Sequence, residues 1–354
     1  MRMPARIASV ALLAAGLCGM TTPARATGEQ EAWTPTATAL RAPAAGIALP
    51  QTVGGLSLAK SGEASNGGRA IDNYAQYLSR DGEVQATLYV YMPTYADASL
   101  AAYMTDKAIM ARFGSKTRRT AYASAPVSGR AGRAIRAIYD DAADGALTTA
   151  AGFVHAGRWI VKLRVTGPTA RRAEVVAGLD AMLANLAVDD PATLHAADPV
   201  RFARCPASDR AKARLTPAPA GEAAPPREVG IPRDGQDSLC VRGSIATADG
   251  SFDMLRQTGR TDGPIIVPID DSGTLLAFDP APDGRGYRLS VHMVGQTDLY
   301  GTYDRVPNPA QVAAIIDGTD PQTAQADAVV AYAANGDVTV QRASAAARAG
   351  SQIR

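Results

Sequence analysis

Residues 158–165 read RWIVKLRV, and residues 84–92 read VQATLYVYM. In the first stretch every second residue is apolar: Trp159, Val161, Leu163 and Val165. The positions between them hold Arg158, Lys162 and Arg164. The second stretch alternates in the same way and carries Tyr89 and Tyr91 on its more polar face. Because successive side chains of a strand point to opposite faces, both stretches are predicted to be strands with one buried face.

Further elements are predicted around these two strands. Period-two patterns indicate strands near 70–79, 121–127, 133–140 and 147–155. A helix over 97–113 places on one face Leu100, Tyr103, Met104, Ala108 and Ala111. A second helix over 170–187 places on one face Val175, Leu179, Met182, Leu183 and Leu186. This spacing is typical of an amphipathic helix. The order of strands, helix, strands and helix predicts an α+β sandwich domain over 51–190, an antiparallel sheet packed by helices.

That order resembles the Mog1/PsbP-like α/β sandwich family, with an ATLYVY strand before one helix and a WIVKLRVT strand before the last. The resemblance covers roughly residues 50–190. It departs from the family at the start, where LPQTVGGLSLAKSGE stands in place of a more aromatic first hairpin. It implies a non-enzymatic accessory or binding module, similar to small exported proteins of unassigned function. No functional residue is transferred by it.

The rest of the chain predicts a second, smaller, β-rich α+β domain over 233–342. Its strands are expected at 264–269, 274–279, 286–294, 298–304, 327–333 and 337–342, with one short helix at 309–318. Three segments lack hydrophobic periodicity. They are interpreted as a flexible lead-in (27–50), a Pro/Ala-rich linker or looped excursion (191–232) and a disordered tail (343–354).

The N-terminus has the three parts of a secretory signal peptide. Arg2 and Arg6 precede the apolar run 7–17, and Ala24-Arg25-Ala26 supplies small residues at a cleavage site. We expect residues 1–26 to be removed and the mature protein, which lacks a transmembrane segment, to be periplasmic or secreted. Cys18 leaves a lipoprotein as the alternative. Losing three arginines changes the formal net charge from +2 to −1, so charge does not favour nucleic acid as a partner.

Cys205 and Cys240 are the two cysteines that remain after the signal peptide. A cysteine pair in an exported protein predicts a disulfide. A redox site more often uses a C-x-x-C pair, which the sequence lacks. Closing a loop of this length stabilises the fold by roughly 4 kcal/mol in the chain-entropy estimate. The Pro/Ala-rich interior is then a looped excursion and not a free tether.

The sequence predicts no catalytic residue, cofactor or metal site. None of His155, His195 and His292 has a second histidine at the spacing of a zinc site, and nucleophile-elbow, Walker and dinucleotide-binding motifs are absent. His292 is predicted to lie on the solvent face of its strand. Asp270 and Asp271, in PIDDSGT, are interpreted as turn residues.

The least ordinary feature is local charge. From Lys107 to Tyr139 there are eight basic residues and no acid, and from Thr261 to Gly284 there are five acids and no base. A solvated face is one interpretation. The other is an anion or partner surface made of Arg112, Lys116, Arg118, Arg119, Arg130, Arg133 and Arg136. Because arginine suits carboxylate and phosphate, this basic band could meet an anionic envelope component, a protein partner or the acidic stretch.

Three functions follow as hypotheses. The first is an exported two-domain accessory or binding protein of the bacterial cell envelope, without catalytic activity. The second is an exported hydrolase with a non-local active site in the second domain, around His292 and Asp270 or Asp271. The third is a structural component of envelope assembly.

Overall fold

A computed structural model describes residues 31–65, 68–200, 202–206, 211–216, 239–248, 250–259, 263–281 and 284–343. The predicted signal peptide, the interior of the Pro/Ala-rich stretch over 217–232 and the tail after 343 lie outside the described residues. Within the described part of the chain, no helix is long and apolar enough to cross a membrane.

The described residues form strands and three α-helices. The strands before residue 190 are β1 (Thr34–Pro35), β2 (Ala39–Ala42), β3 (Ile47–Pro50), β4 (Thr52–Val53), β5 (Leu56–Glu63), β6 (Asp72–Leu78), β7 (Gln85–Tyr91), β8 (Arg118–Val127), β9 (Arg130–Ala142), β10 (Leu147–Ala156), β11 (Trp159–Pro168) and β12 (Ala187–Val188). The later strands are β13 (Phe202–Arg204), β14 (Leu215–Thr216), β15 (Leu239–Thr247), β16 (Gly250–Gln257), β17 (Ile265–Pro268), β18 (Leu275–Pro280), β19 (Tyr287–Met293), β20 (Gln296–Tyr303), β21 (Ala328–Tyr332) and β22 (Val338–Arg342). The helices are α1 (Ala98–Phe113), α2 (Arg172–Asn185) and α3 (Pro309–Ile316).

The strands assemble into three sheets. A four-stranded sheet has the order β1-β2-β3-β12, and an eight-stranded sheet has the order β4-β5-β6-β7-β11-β10-β9-β8. A ten-stranded sheet has the order β13-β15-β16-β17-β18-β19-β20-β21-β22, and β14 pairs with β20. The expected fold class, an α+β protein with an antiparallel sheet packed by helices, is therefore wrong. The protein is β-rich, because strands also form where we expected a lead-in and a linker, while the helices remain few.

The segment expected to be a flexible lead-in contributes three strands instead. Residues 34–50 contain β1 to β3, and Leu40, Ile47 and Leu49 are at most 2% exposed. Trp33 lies in the same core, and its indole N–H donates to the Gly62 carbonyl oxygen at 2.9 Å. Alanine, threonine and proline obscure the period in this segment, but its few large apolar residues are buried against the eight-stranded sheet.

Helix α1 lies between the two large sheets and has two buried faces. Ala102 and Ile109 pack with Phe153 of the eight-stranded sheet, whereas Leu100 packs with Leu255 of the ten-stranded sheet. Its first turn is capped by Asp97, whose carboxylate accepts from two backbone N–H groups at 2.8 and 3.1 Å. The sequence pattern predicted one apolar face, and the small alanines of the other face gave no comparable signal.

Helix α2 covers the opposite face of the eight-stranded sheet. Leu179 and Leu183 approach the backbone at Gly152, where an added Cβ would lie 3.2 Å from each of their methyl carbons. The inward-facing Leu163 and Val165 of β11 belong to the same core. One face of β11 therefore lies under α2, and its other face points toward α1 and the second sheet.

The two large sheets contact each other directly. The Thr94 N–H donates to the Met293 carbonyl oxygen at 3.0 Å, and the Gly295 N–H donates to the Met92 carbonyl oxygen at 2.9 Å. At Gly273 an added Cβ would lie 2.6 Å from the Cβ of Pro93. The turn between β17 and β18 is therefore held closely against the chain that leaves β7.

The predicted disulfide between Cys205 and Cys240 is present, with a Cα–Cα distance of 5.0 Å. It lies where β13 pairs in parallel with β15, and Ala203 is the register partner of Cys240. Part of the segment expected to be a linker, Phe202–Arg204, is thus an edge strand of the ten-stranded sheet.

Candidate functional site

A cleft of about 410 Å³ lies where the eight-stranded sheet meets α1 and the turn between β17 and β18. We call it the junction cleft. Its floor is made by side chains from β6, β7 and β11, and α1 and the turn form its walls. The side chains that define it are Tyr74, Tyr89, Tyr91, Lys162, Arg164 and Arg112.

Strand register explains how the floor is built. Tyr74 is opposite Tyr89 in the β6–β7 pairing, and Tyr89 is opposite Lys162 in the β7–β11 pairing. Arg164 lies two residues beyond Lys162 on β11. Directly opposed residues of antiparallel strands, and every second residue along each strand, point to the same face. The polar faces of the two stretches that predict the sheet therefore become one surface of aromatic and basic side chains.

Lys162 is only 7% exposed, and its charge is compensated within the cleft. Its ammonium lies 2.9 Å from the Asp271 carboxylate and donates to the Asp271 carbonyl oxygen at 3.2 Å. It also lies 4.9 Å from the ring centroid of Tyr89 and 5.9 Å from that of Tyr91. Burying a cation is unfavourable without such partners. Lys162 is therefore already occupied by groups of the protein.

Asp270 and Asp271 have different roles. Asp270 accepts from the backbone N–H groups of Ser272 and Thr274 at 2.9 and 3.0 Å, which is turn chemistry. Asp271 instead reaches the junction cleft, where the Thr105 hydroxyl also donates to it at 3.3 Å. Burial alone would raise the pKa of Asp271, but the charge and hydrogen bond of Lys162, the hydrogen bond of Thr105 and the charge of Arg164 together hold the pKa below its usual value.

Arg112 and Arg164 are the two arginines that line the junction cleft. Their guanidinium carbons lie 5.6 and 5.5 Å from the ring centroid of Phe113. Arg164 is half-buried, and its Nε–H reaches the Thr149 hydroxyl at 3.5 Å. Burial lowers the pKa of Arg164 and the charge of Arg112 lowers it further, while the charge of the more distant Asp271 opposes both effects. Among the described residues no carboxylate lies within ion-pair distance of either guanidinium, so both can receive an anion.

Asp72 is an acid on the other side of the same floor. It lines the cleft from β6, is half-buried, and is the register partner of Tyr91. Burial raises the pKa of Asp72, and the nearby acids Glu63 and Asp270 raise it further, against the charge of Lys162. No side chain in the described ranges donates a hydrogen bond to its carboxylate. The cleft therefore holds an acid and two arginines that form no ion pair within the described part of the chain.

The basic band predicted from sequence is divided among several environments. Four members pair with acids outside the band: Lys116 with Asp144, Arg118 with Asp141, Arg119 with Asp106 and Arg136 with Asp180. Arg133 donates to the Leu194 carbonyl oxygen at 3.0 Å, and Arg130 is exposed at the start of β9. Arg112 alone of the seven lines the junction cleft. The acidic partners were not evident in the sequence because most are distant along the chain.

The prediction for His292 is wrong, because this histidine is completely buried. Its Nε2 lies 2.9 Å from the Ser290 hydroxyl, and its Nδ1 lies 3.1 Å from the Thr94 hydroxyl and 3.3 Å from the Thr297 hydroxyl. Burial lowers its pKa to about 4. Both faces of β19 are covered, one by the core of the second sheet and the other by residues that follow β7. In the described part of the chain no carboxylate hydrogen-bonds to His292.

The other two histidines form a stacked pair. The ring centroids of His155 and His195 are 3.9 Å apart, and the rings are inclined by 13°. The Nε2 of His155 lies 2.9 Å from the Gly157 carbonyl oxygen. A search of the described residues finds no group of three or more histidine, cysteine, aspartate or glutamate side chains that could hold a metal ion.

Sequence reasoning missed most of the junction cleft. The available signal was the polar face of the first two predicted strands, where tyrosines alternate with basic residues in positions that would ordinarily face solvent. That pattern indicates a sheet face that differs both from a hydrophobic core and from an ordinary charged surface. It does not show which other part of the chain covers the face. The contact between Lys162 and Asp271, 109 residues apart, depends on the packing of the two sheets.

Comparisons with known proteins do not assign this chain to a family. A scan against protein-family models gives no match, and a search of curated proteins finds no relative. The resemblance to the Mog1/PsbP-like family therefore stays a prediction.

Proposed function

We propose that this protein is an exported accessory or binding protein and that its junction cleft binds a small organic anion. The observation that carries the proposal is the pair Arg112 and Arg164, which lines a concave site and has, among the described residues, no carboxylate within ion-pair distance of either guanidinium. Arginine pairs of this kind bind carboxylate or phosphate through charge-assisted hydrogen bonds.

An organic ligand suits the cleft better than a simple inorganic ion. The tyrosine side chains of the floor and Ile109 of α1 offer apolar surface beside the arginines. Small-molecule sites are typically concave, mostly apolar, and contain a few converging polar groups. A volume of about 410 Å³ lies within the ordinary range for such sites.

The proposed compartment rests on two further observations. The N-terminal sequence has the pattern of a secretory signal peptide. The disulfide between Cys205 and Cys240 favours an oxidising compartment, such as the periplasm or the exterior of the cell. The near-neutral charge of the predicted mature chain favours a small ligand or a protein partner over nucleic acid.

Isothermal titration calorimetry tests the proposal with three compounds that carry only negative charge: benzoate, N-acetyl-phenylalanine and N-acetyl-Ala-Ala-Ala. We expect binding to the wild-type protein and a loss of about tenfold or more in affinity for Arg112→Gln and Arg164→Gln, because each removes a charged hydrogen-bond donor.

Arg130→Gln is the matched control, since it makes the same change of charge at an exposed residue beside the hairpin turn that contacts α2. It should bind each compound as the wild type does. The proposal fails if none of the three compounds binds, or if the double variant Arg112→Gln/Arg164→Gln retains wild-type affinity.

A further inference from the structure

We infer that the natural ligand of the junction cleft is a short peptide with a free amino end and a free carboxyl end, bound between Asp72 and the arginine pair Arg112 and Arg164. This inference rests on the proposed function and adds to it the chemical class of the ligand and its direction in the cleft.

The Asp72 end of the cleft suits an ammonium group. Glu63 and Asp270 contribute negative potential there, and the nearest cation, Lys162, is already held by Asp271. A half-buried carboxylate without a hydrogen-bond donor among the described side chains is unfavourable. A ligand ammonium would supply both the donor and the opposite charge.

The opposite end suits a carboxylate. The guanidinium carbons of Arg112 and Arg164 lie 5.6 and 5.5 Å from the centroid of the same ring, that of Phe113, and both side chains line the cleft. No carboxylate of the described residues forms an ion pair with either guanidinium, so a ligand carboxylate would offset both the burial of Arg164, which is the main cause of its lowered pKa, and the like charge of Arg112.

Strand geometry sets the length of the ligand. Asp72, Tyr91 and Ile160 form one row across β6, β7 and β11, and Arg164 lies four residues beyond Ile160. At about 3.3 Å per residue and about 4.8 Å per strand, the Cα atoms of Asp72 and Arg164 are roughly 16 Å apart. An extended peptide spans about 3.5 Å per residue. With the two protein side chains covering part of the distance, a peptide of about three residues fits and a single amino acid does not.

The floor between the two ends offers apolar contact to a peptide. Tyr74 and Tyr89 lie side by side there, and the Tyr74 ring is held against the backbone at Gly62, where an added Cβ would lie 2.7 Å from its hydroxyl oxygen. These rings provide flat apolar contact without specifying one sequence. The two charged ends of the peptide, and not its side chains, would therefore fix its orientation.

The experiment compares Ala-Ala-Ala with N-acetyl-Ala-Ala-Ala and Ala-Ala-Ala-amide by calorimetry. With wild-type protein, blocking either end should weaken binding by about tenfold or more, the effect of losing at least one charged hydrogen bond. Asp72→Asn should bind the free and acetylated peptides equally, and the double variant Arg112→Gln/Arg164→Gln should bind the free and amidated peptides equally. Asp144→Asn, at an exposed acid that pairs with Lys116, is the matched control and should behave as wild type.

The outcomes separate this inference from the proposed function. If acetylation does not weaken binding to the wild type, the ammonium subsite is wrong, while a loss of affinity in Arg164→Gln would still support an anion site. If benzoate binds and Ala-Ala-Ala does not, the peptide class is wrong. Because these comparisons modify the ligand of the wild-type protein, they remain decisive even if a variant does not fold.

Discussion

Acid should destabilise this protein through His292, which lies completely buried where the two large sheets meet. Three hydroxyl groups surround its ring nitrogens, and the nearest ring is Tyr95 at 5.9 Å between centroids. None of these groups compensates a positive charge. Burial therefore lowers the pKa of His292 to about 4, from a usual value of 6.5.

The sign of the effect follows from proton uptake. The contribution of His292 to stability is complete above pH 6.5, where both folded and unfolded forms are neutral. Below that pH the unfolded chain takes up a proton that the folded chain cannot accept until about pH 4. At about 1.36 kcal/mol for each pKa unit, the free energy of unfolding should fall by about 2 kcal/mol between pH 7 and pH 5.

Urea unfolding followed by circular dichroism at pH 7 and pH 5 measures this loss. The control is His292→Gln, which keeps a hydrogen-bonding side chain but cannot titrate. Other titrating groups contribute to both proteins, so the difference between their pH-dependent losses isolates the histidine. We expect the wild type to lose about 2 kcal/mol more than the variant. Equal losses, or a larger loss for the variant, would show that burial of a neutral His292 does not cause the acid sensitivity.

Three other predictions concern the disulfide, the cleft floor and a buried acid. Thiol labelling of the denatured mature protein should find no free cysteine without reductant and two free cysteines with it. Reduction should lower the free energy of unfolding by about 2–4 kcal/mol. Labelling of two cysteines without reductant would show that the disulfide is absent. Gly62→Ala should displace Tyr74 and weaken ligand binding, since the new Cβ would lie 2.7 Å from the tyrosine hydroxyl. Its control, Gly243→Ala, meets only an ordinary contact at 3.5 Å and should leave binding unchanged. Burial raises the pKa of Asp279 to about 6. Asp279→Asn should therefore raise the thermal midpoint at pH 7, where the carboxylate is charged, but not at pH 3.5, where it is neutral. An equal effect at both pH values would show that the charge of Asp279 is not the cause.

Local periodicity predicted most individual elements. The stretches 84–92 and 158–165 form β7 and β11, and the helix expected over 170–187 is α2 (Arg172–Asn185). In each of these segments one face is apolar and packs into the core, and the opposite face is more polar. The spacing of the apolar residues therefore matches the side-chain period of a strand or a helix. The elements were predictable because the contrast between their two faces is strong.

Elements with two buried faces were harder to interpret. The alternation around His292 placed this residue on the strand face opposite the apolar residues, and such a face is ordinarily exposed to solvent. Here the chain after β7 covers that face of β19. Helix α1 presents alanines to one sheet and larger residues to the other. Which face meets a second layer is decided by contacts between distant segments, and a period within one segment does not contain that information.

Only part of the junction cleft could be predicted, because it too depends on contacts between distant segments. Arg112 was included in a candidate anion surface because of local charge, but its neighbours in that band pair with acids elsewhere. The residue that joins it, Arg164, comes from another strand. The local charge indicated that arginines could form an anion surface. It could not show which arginines meet, because the packing of β11 against α1 brings this pair together.

A crystal structure of the protein with bound N-acetyl-phenylalanine would show directly whether Arg112 and Arg164 bind a carboxylate. We expect the ligand carboxylate to lie within hydrogen-bond distance of both guanidinium groups and the ligand ring to lie against the tyrosines of the cleft floor. A ligand bound elsewhere on the protein, or bound in the cleft with its carboxylate directed away from both arginines, would show that this arginine pair is not an anion site.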